Sequence, residues 1–324
     1  MNSPCSPFDW ARLMRDVDAA PSILNTKPWL FAPVPGDRIE LRPRWDRHLR
    51  VIDPRHRELI VSCGAALFNL RMAIRVTGHD PVVWLLPGQT GGGAVCGHCG
   101  DCCGFGSLLA SVEIVVRRAH PATITEQRLY EAIPRRHTVR EPFRRSIGMN
   151  VLAELERAAW TEGADARLLH RRETRRLLRW AAQTDEKLKL DVPYLAEISD
   201  WTGSALPAGL GVAGAEFGSR PNNRHHAPVR DFGVASADVR QVTKFERHPQ
   251  LIALTTQTDT PTDWMRAGQA LQRLLLTATY FGAEASFLTQ QLEVKDKEKL
   301  AYQLTHQWWP WPKPAQMIIR VGGQ

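Results

Sequence analysis

The segments Gly64-Ala-Ala-Leu-Phe-Asn-Leu70 and Gly268-Gln-Ala-Leu-Gln-Arg-Leu274 carry the same spaced pattern of one glycine, one alanine and two leucines. Each pattern closes on a second glycine fourteen residues after the first, at Gly78 and at Gly282. Apolar residues recur at helical spacing, and a glycine just past the last of them is a common helix stop. The sequence therefore predicts two matching amphipathic helices, one in each half of the chain.

The order of elements around these helices also repeats. The predicted segments are helices at 63–77 and 263–281, strands at 82–86 and 285–289, and closing strands at 108–116 and 316–321. A matching order over several elements favours internal duplication over a chance likeness. We therefore predict an α+β fold made twice, each time with a mainly antiparallel sheet flanked by helices, in halves 1–120 and 121–324.

Near the middle of the chain, Arg135-Arg-His-Thr-Val-Arg140 contains three guanidiniums, an imidazole and a hydroxyl. Pro134 precedes this segment, and a proline disfavours helical backbone in the residue before it. On an extended segment alternate side chains point the same way, which sets Arg136, Thr138 and Arg140 on one side. Two guanidiniums and a hydroxyl there suit a phosphate monoester. A solvated basic loop is the alternative that this segment alone leaves open.

Charge and composition limit the classes of partner. The 324 residues carry a net charge of +8, and the 42 lysines and arginines are spread along the chain rather than gathered in one stripe. That scatter argues against a nucleic-acid partner, and we interpret the densest run, at 167–179, as a solvated helix. The first ten residues lack the apolar core of a secretory signal, and no apolar run is long enough for a membrane span. We expect a cytoplasmic protein with a small-molecule substrate and no membrane partner.

Four of the six cysteines lie close together, at Cys96, Cys99, Cys102 and Cys103. The C-x2-C-x2-C spacing can bring three thiolates to one zinc ion or iron–sulfur cluster. A structural zinc site normally takes its ligands from two separated segments, and the chain has no second CxxC. We therefore favour a glycine-rich loop between two strands over a metal site.

Residues 191–233 form a long stretch rich in glycine and proline. An irregular segment of this length is more often a lid or a binding loop than a plain connector. A short helix is predicted later, at 295–304. Trp308, Trp309 and Trp311 follow it and are either a second aromatic wall or ordinary packing of a proline-rich loop. We expect residues 191–233 to cover a ligand site.

Five segments carry a family resemblance. They are Ala20-Pro-Ser-Ile-Leu-Asn-Thr-Lys-Pro-Trp29, Arg136-His-Thr-Val-Arg140, Arg230-Asp-Phe232, residues 268–291 and residues 314–322. Together they resemble the FMN-dependent nitroreductase superfamily, and specifically its fused two-half branch in actinobacteria (the Acg type). The first is similar to the family's Pro-Ser-x-x-Asn-x-Gln-Pro-Trp turn and the second to its Arg-x-Ser-x-Arg/Lys segment. The likeness covers nearly the whole chain.

The resemblance implies a bound FMN whose phosphate lies at the basic segment. Arg136 and Arg140 would neutralise the phosphate, Thr138 would donate to one of its oxygens, and His137 would lie along the ribityl chain or the ring edge. No side-chain nucleophile is implied, because the hydride travels on the flavin.

The remaining implied contacts come from elsewhere in the chain. Ser22 and Asn25 would hydrogen-bond the ribityl chain or the pyrimidine edge, and backbone amides around Thr289 and Gln290 would reach N5 or O4. A helix cap at Ser22 and a turn former at Asn25 are the alternatives. Lys27 departs from the family, which usually has glutamine there.

The order of the motifs implies one site per chain. The turn occurs only in the first half and the basic segment only in the second, so one FMN would be held between them. The chain would then be a monomer that imitates the family's dimer, or a homodimer of such chains.

Two functions follow from the resemblance. The first is a flavin oxidoreductase that takes hydride from NAD(P)H on FMN N5 and passes it to nitroaromatics or quinones by a ping-pong mechanism. The second is an FMN-binding or storage protein in which the lid covers the flavin and no nicotinamide is turned over. The length of segment 191–233 favours the second.

Overall fold

The computed structural model describes residues 9–87, 108–116, 121–202, 206–222, 229–230, 232, 240–293 and 313–324. The fold is α+β, as predicted, and contains two four-stranded sheets. One continuous apolar core joins both sheets to the long helices between them. Within the described residues, no helix combines the length and apolarity needed to cross a bilayer.

The first sheet belongs to the N-terminal half. Its elements are α1 (Trp10–Asp18), β1 (Trp29–Val34), β2 (Arg38–Pro43), α2 (Arg57–Arg75), β3 (His79–Leu85) and β4 (Ala110–Val116). The strands lie in the order β1-β2-β4-β3, and each neighbouring pair is antiparallel. The helix α3 (Ile124–Ala132) then leads into the second half.

The second half repeats this arrangement with insertions. Its elements are α4 (Met149–Thr161), β5 (Asp165–Leu168), α5 (Arg171–Leu188), α6 (Val192–Asp200), β6 (Arg220–Pro221), β7 (Val242–Thr243), β8 (Gln250–Thr255), α7 (Pro261–Tyr280), β9 (Glu284–Phe287), α8 (Gln290–Glu293) and β10 (Ala315–Gly322). The sheet has the order β5-β8-β10-β9, again antiparallel throughout. With the insertions α5, α6, α8 and the β6–β7 pair set aside, both halves read helix, strand, strand, helix, strand, strand. This is the arrangement that the duplication hypothesis requires.

The central helices α2 and α7 cross at the two glycines that open the repeated pattern. A Cβ placed on Gly268 would lie 2.0 Å from the backbone oxygen of Val61, and one on Gly64 would lie 2.4 Å from that of Met265. No real Cβ tolerates such distances, so the backbones touch only because both residues are glycine. The crossing therefore fixes the two halves against each other.

The helix α2 begins at Arg57, six residues before the predicted start. Arg57 and Glu58 look like solvated loop residues, but both are buried and form an ion pair with each other. His56 at the N-cap is in the left-handed region (φ 60°) and its side chain does not cap the helix. Asp53 does so instead, because its carboxylate accepts a hydrogen bond from the Leu59 amide at 2.8 Å.

Two other expectations need correction. Segment 191–233 is not irregular throughout, because α6 occupies its first ten residues with Asp191 as N-cap, accepting from the Tyr194 amide. Pro134 does not force an extended backbone on the residue before it. Ile133 has helical φ and ψ (−52°, −55°), and Pro134 lies inside a 3-10 turn that continues α3. A proline near a helical start loses nothing by lacking an N–H. The predicted helix 295–304, the three tryptophans and the cysteine loop lie outside the described residues.

Candidate functional site

A cavity of about 590 Å³ lies between the two halves, a size typical of small-molecule and cofactor sites. Its walls come from the turn after α1, the start of α2, the segment after α3, the end of β9, and the lid, our name for the described residues 201–202, 206–222, 229–230 and 232. Seven of the eight predicted site residues line it: Ser22, Asn25, Arg136, His137, Thr138, Arg140 and Thr289. The eighth, Gln290, is buried outside the lining. The fold thus brings together segments more than a hundred residues apart.

The basic segment becomes extended after the 3-10 turn. The backbone of Arg136 is in the extended region (φ −70°, ψ 126°), Thr138 forms a parallel bridge with Ala285, and the Val139 amide donates to the Ala285 carbonyl at 2.9 Å. This edge pairing with β9 holds the segment along the cavity wall. Arg136, Thr138 and Arg140 all line the cavity, but so do His137 and Val139 between them, so the lining does not separate alternate side chains as predicted.

The side chains of Arg136 and Arg140 are half-buried and near enough for their charges to interact. Burial, and then the neighbouring charge of Arg140, lower the pKa of Arg136 to about 10. Burial also lowers the pKa of Arg140; the charge of Glu216 opposes this shift and that of Arg230 adds to it. Among the described residues, neither guanidinium forms an ion pair with a carboxylate, and the buried Nε of Arg136 has no hydrogen-bond partner. Two half-buried cations in this state fit an anion with several oxygens.

The two guanidiniums do make contacts with neutral groups. Arg136 donates to the Ala19 carbonyl at 3.2 Å, and Arg140 donates to the Glu216 carbonyl at 2.9 Å. The side chain of His137 is largely exposed, and its Nδ1 lies 3.1 Å from the Arg135 carbonyl. His137 therefore stands at the edge of the cavity, whereas the two arginines lie in its wall.

The turn after α1 is tightly wound. Leu24, Asn25 and Lys27 all have positive φ (44°, 52° and 46°), a conformation that non-glycine residues adopt at some energetic cost and that clusters at ligand sites. The Ser22 hydroxyl accepts from the Lys27 amide at 2.9 Å, which leaves its own proton available to a ligand. Lys27 itself is not in the cavity lining.

Asn25 contacts the lid rather than open space. Its side-chain nitrogen donates to the carbonyls of Gly211 at 2.9 Å and Gly209 at 3.3 Å, and its own carbonyl accepts from the Gly211 amide. Only the side-chain oxygen of Asn25 remains for the predicted ligand contact.

The lid also lies directly on the basic segment. Gly218, at φ 73°, approaches so closely that a Cβ there would lie 2.8 Å from the Arg140 backbone oxygen. The carboxylate of Glu141 accepts from the Ser219 amide at 2.8 Å and from its hydroxyl at 2.6 Å. Phe232 packs against the guanidinium of Arg140, 5.0 Å from the ring centroid. The lid thus contacts Arg140, one of the residues that we expect to hold the phosphate, and the adjacent Glu141.

Several residues of the site escaped the sequence analysis. Arg230 lines the cavity, pairs with Glu293 and donates to the Thr289 hydroxyl at 3.4 Å. Burial opposes the charge of Arg230, but Glu293 and Tyr194 outweigh it and raise the pKa of this guanidinium. Only the short Arg230-Asp-Phe232 motif could have pointed to it. Glu58 lines the cavity from α2, and the misplaced helix start concealed it.

The cysteine cluster contributes nothing that can be placed in the site. Cys96, Cys99, Cys102 and Cys103 lie outside the described residues. Within the described part of the chain, no group of three or more histidine, cysteine, aspartate or glutamate side chains is arranged to hold a metal ion.

Comparison with known proteins identifies relatives over almost the full chain. The protein named "Putative NAD(P)H nitroreductase Rv3131" of Mycobacterium tuberculosis (strain ATCC 25618 / H37Rv) is 28% identical over 319 residues, covering 94% of this chain and 81% of the relative. From the same strain, "Putative NAD(P)H nitroreductase acg" is 26% identical over 304 residues, covering 94% and 85%. "Uncharacterized protein Rv3127" is 26% identical, covering 94% and 83%. No family model matches the chain.

Solved structures add little to this relationship. A nitroreductase with bound FMN from Bacteroides fragilis is 15% identical, covers 60% of this chain and 88% of its own, and has a TM-score of 0.35. That score carries no argument about geometry, so the comparison depends on the sequence relatives. Over almost its full length the chain is similar to mycobacterial proteins that are named putative NAD(P)H nitroreductases.

Proposed function

We propose that the cavity binds one FMN per chain and that the protein is a flavin oxidoreductase. The observation that carries the proposal is the pair of half-buried guanidiniums, Arg136 and Arg140, that line one cavity and form no ion pair with a carboxylate among the described residues. A phosphate monoester supplies the missing negative charge and hydrogen-bond acceptors. The nitroreductase names of the relatives support the flavin as the carrier of that phosphate.

The roles of the other residues follow from their available atoms. The hydroxyl of Thr138 lies between the two arginines in sequence and would donate to the phosphate, and His137 would contact the outer edge of the cofactor. The Ser22 hydroxyl has a proton to donate, and the Asn25 oxygen can accept one. Thr289 lines the cavity and accepts a hydrogen bond from Arg230, and backbone amides around Thr289 and Gln290 would reach the flavin ring.

A bound flavin would supply hydride transfer from NAD(P)H to an acceptor such as a nitroaromatic or a quinone, in a ping-pong sequence. The protein then has to bind, orient and exclude water, which needs no nucleophilic side chain.

The second candidate function is FMN binding or storage without nicotinamide turnover. The observation that favours it is the lid, which lies on Asn25, Arg140 and Glu141 through direct hydrogen bonds. A lid fixed in this way would cover a flavin and exclude a second ligand.

One experiment tests both functions. The protein is purified, its flavin is identified and quantified, and NADPH or NADH is added without oxygen. Bleaching within seconds supports the reductase, and a flavin reduced only by dithionite supports the storage protein. A colourless protein that does not take up added FMN contradicts both.

The proposed single site also predicts a stoichiometry. Since the turn comes from residues before 120 and the basic segment from residues after 121, we propose that the two halves share one FMN. Two flavins per chain, measured by absorbance after denaturation, would contradict this arrangement.

A further inference from the structure

The fold gathers cations that are scattered in the sequence. Five arginines of α5 lie on one exposed side of the helix: Arg171, Arg172, Arg175, Arg176 and Arg179. We call this set the arginine face. The opposite side of α5 is buried through Leu177, Leu178 and Ala181. The first three turns of the helix thus present positive charge alone.

Neighbouring residues extend the arginine face. Arg171 lies 3.0 Å from His248, measured from Nη2 to Nε2, in the loop before β8. Desolvation, and then the charges of Arg171, Arg175 and Arg247, lower the pKa of the exposed His248. Arg247, which precedes His248 in the chain, therefore lies beside the arginine face. The arginine face therefore continues beyond a single helix.

Carboxylates do not balance these charges. Elsewhere on the surface, Arg44, Arg157 and Arg266 pair with Asp46, Glu154 and Asp263. Over the part of the chain that the structure describes, no carboxylate lies within ion-pair distance of the arginine face. Glu173, which lies in the same turns, is buried and binds Arg167.

This arrangement violates two local rules of helix stability. Like charges four residues apart repel, and the arginine face contains three such pairs. Positive charges are also unfavourable in the first turn, where Arg171 and Arg172 lie. A surface that breaks local rules without a compensating contact is a candidate for a binding function.

The geometry points to the phosphate backbone of double-stranded nucleic acid as the partner, bound without regard to sequence. The arginines recur every four residues, at 171 and 172, at 175 and 176, and at 179, which is about 6 Å along the helix axis. A polymer of regularly spaced phosphates can contact all three levels at once. Arginine forks suit phosphate oxygens better than lysine does. This inference does not depend on the proposed cofactor.

Two other partners fit the arginine face less well. Single strands are usually held by stacking bases on exposed aromatics, and the only aromatic of α5, Trp180, packs against the core. Membrane-surface helices insert an apolar face, whereas that of α5 is already buried in the protein. Contacts between arginine and the phosphates of a duplex, which do not depend on base sequence, need neither feature.

The test compares two triple variants that lose the same charge. Arg172→Gln with Arg175→Gln and Arg179→Gln removes three of the five arginines of the arginine face. Arg15→Gln with Arg50→Gln and Arg157→Gln removes three exposed arginines elsewhere. Binding of a fluorescent DNA duplex of mixed sequence is followed by anisotropy between about 50 and 200 mM salt, a range over which phosphate contacts weaken steeply. We expect the first variant to lose at least about tenfold in affinity and about 2.7 in the slope of log K against log salt, at about 0.9 per phosphate contact. The control should stay within about twofold.

The outcomes are distinguishable. Equal losses of duplex affinity in the two triple variants would show that net charge alone causes the binding, which would overturn the inference. Absence of duplex binding by the unaltered protein would also overturn it. So would tighter binding, at the same salt, to vesicles of anionic phospholipid or to a polyglutamate peptide. If the triple variant fails to fold by circular dichroism, Arg175→Gln alone should lower the salt slope by about 0.9, and an unchanged slope would count against the proposal.

Discussion

The two halves of the chain share a topology but differ at the connection between their first helix and first strand. In the N-terminal half, residues 19–28 separate α1 from β1 and wind into the turn that lines the cavity. In the C-terminal half, only residues 162–164 separate α4 from β5, and Gly163 closes that turn at φ 81°. One half therefore has a wall that the other lacks, which explains how a symmetric arrangement of helices and strands can carry an asymmetric site.

The two central helices also start differently. The helix α7 has a regular capping box between Thr260 and Asp263. The helix α2 begins after a left-handed His56 and is capped by the buried Asp53, which precedes the helix by four residues. The irregular start belongs to the half that supplies Glu58 and Ser62 to the cavity. Differences between the halves thus concentrate around the site, while the crossing between them stays symmetric.

The largest expected effect comes from the crossing itself. Gly268→Ala places a methyl group 2.0 Å from the Val61 oxygen, so we expect a loss of about 3 kcal/mol or more in the free energy of unfolding. Gly148→Ala is the control, because its added methyl meets nothing within 4 Å, and it should cost less than about 1 kcal/mol. Urea unfolding followed by circular dichroism measures both. Similar losses in the two variants would mean that the helices can move apart.

The next effect tests the basic segment, which occurs in only one half. Arg136→Ala with Arg140→Ala should weaken FMN binding by about a hundredfold or more, since each charged hydrogen bond contributes roughly 1.5–3 kcal/mol. Fluorescence titration with FMN gives the affinity. Arg135→Ala with Arg144→Ala removes two cations of the same stretch that lie outside the cavity lining, and it should bind FMN normally. A double variant at 136 and 140 that stays yellow would move the phosphate site elsewhere.

A pH experiment sharpens the difference between the helix starts. Burial, and then the neighbouring Glu58, raise the pKa of Asp53 to about 7. In the unfolded chain Asp53 ionises near pH 4. The folded state therefore holds one more proton between these values, and the stability contributed by this group falls as pH rises from about 4 to about 7.

Asp53→Asn should remove that decline, since an amide oxygen can still accept from the Leu59 amide. Between pH 5 and pH 8, the free energy of unfolding should fall less in the variant than in the parent protein, by on the order of 1–3 kcal/mol. His48 and His56, whose pKa values are lowered by burial, act in the opposite direction in both proteins. Chemical unfolding at the two pH values measures the difference. An identical pH profile for both proteins would show that Asp53 is ionised throughout.

The smallest effect concerns the lid, which has no equivalent in the N-terminal half. Ser219→Ala removes the 2.6 Å hydrogen bond to Glu141 and should make the lid open about five to ten times more often, because such a bond contributes about 1–1.5 kcal/mol. Hydrogen exchange of the amides at 216–219 reports the opening. Ser199→Ala, on the exposed side of α6, should leave these amides unchanged. Unaltered exchange in the first variant would show that Gly218 and Arg140 hold the lid without Ser219.

Sequence patterns located most regular elements and seven residues that line the cavity. The glycine and leucine spacing located α2 and α7, and the cluster of basic residues pointed to a segment of the cavity wall. The patterns failed where burial decides the local structure. The helix α2 begins six residues before the predicted start because the buried Asp53 caps it and Arg57 and Glu58 are buried as an ion pair, and burial is not visible in residue order.

The sequence predicted a lid but not the residues that it contacts, and it did not predict the arginine face, for a related reason. Asn25 and Glu141 bind lid residues nearly two hundred and about eighty positions away, and local spacing contains no signal for such contacts. The sequence favours a solvated helix for the arginines of α5, because the lysines and arginines of the whole chain are spread along it rather than gathered in one stripe. Only the fold shows that five of them share one side without carboxylates.

The backbone contact at Gly64 and Gly268 has a consequence for how this molecule can respond to ligands. Enzymes that close around a substrate often hinge one domain against another. Here the turn and the basic segment stand on halves that touch backbone to backbone, so the distance between these walls is set before any ligand arrives. Adjustment to ligands of different shape is left to the lid, and variation among related proteins in what they accept should be found in that segment rather than in the walls.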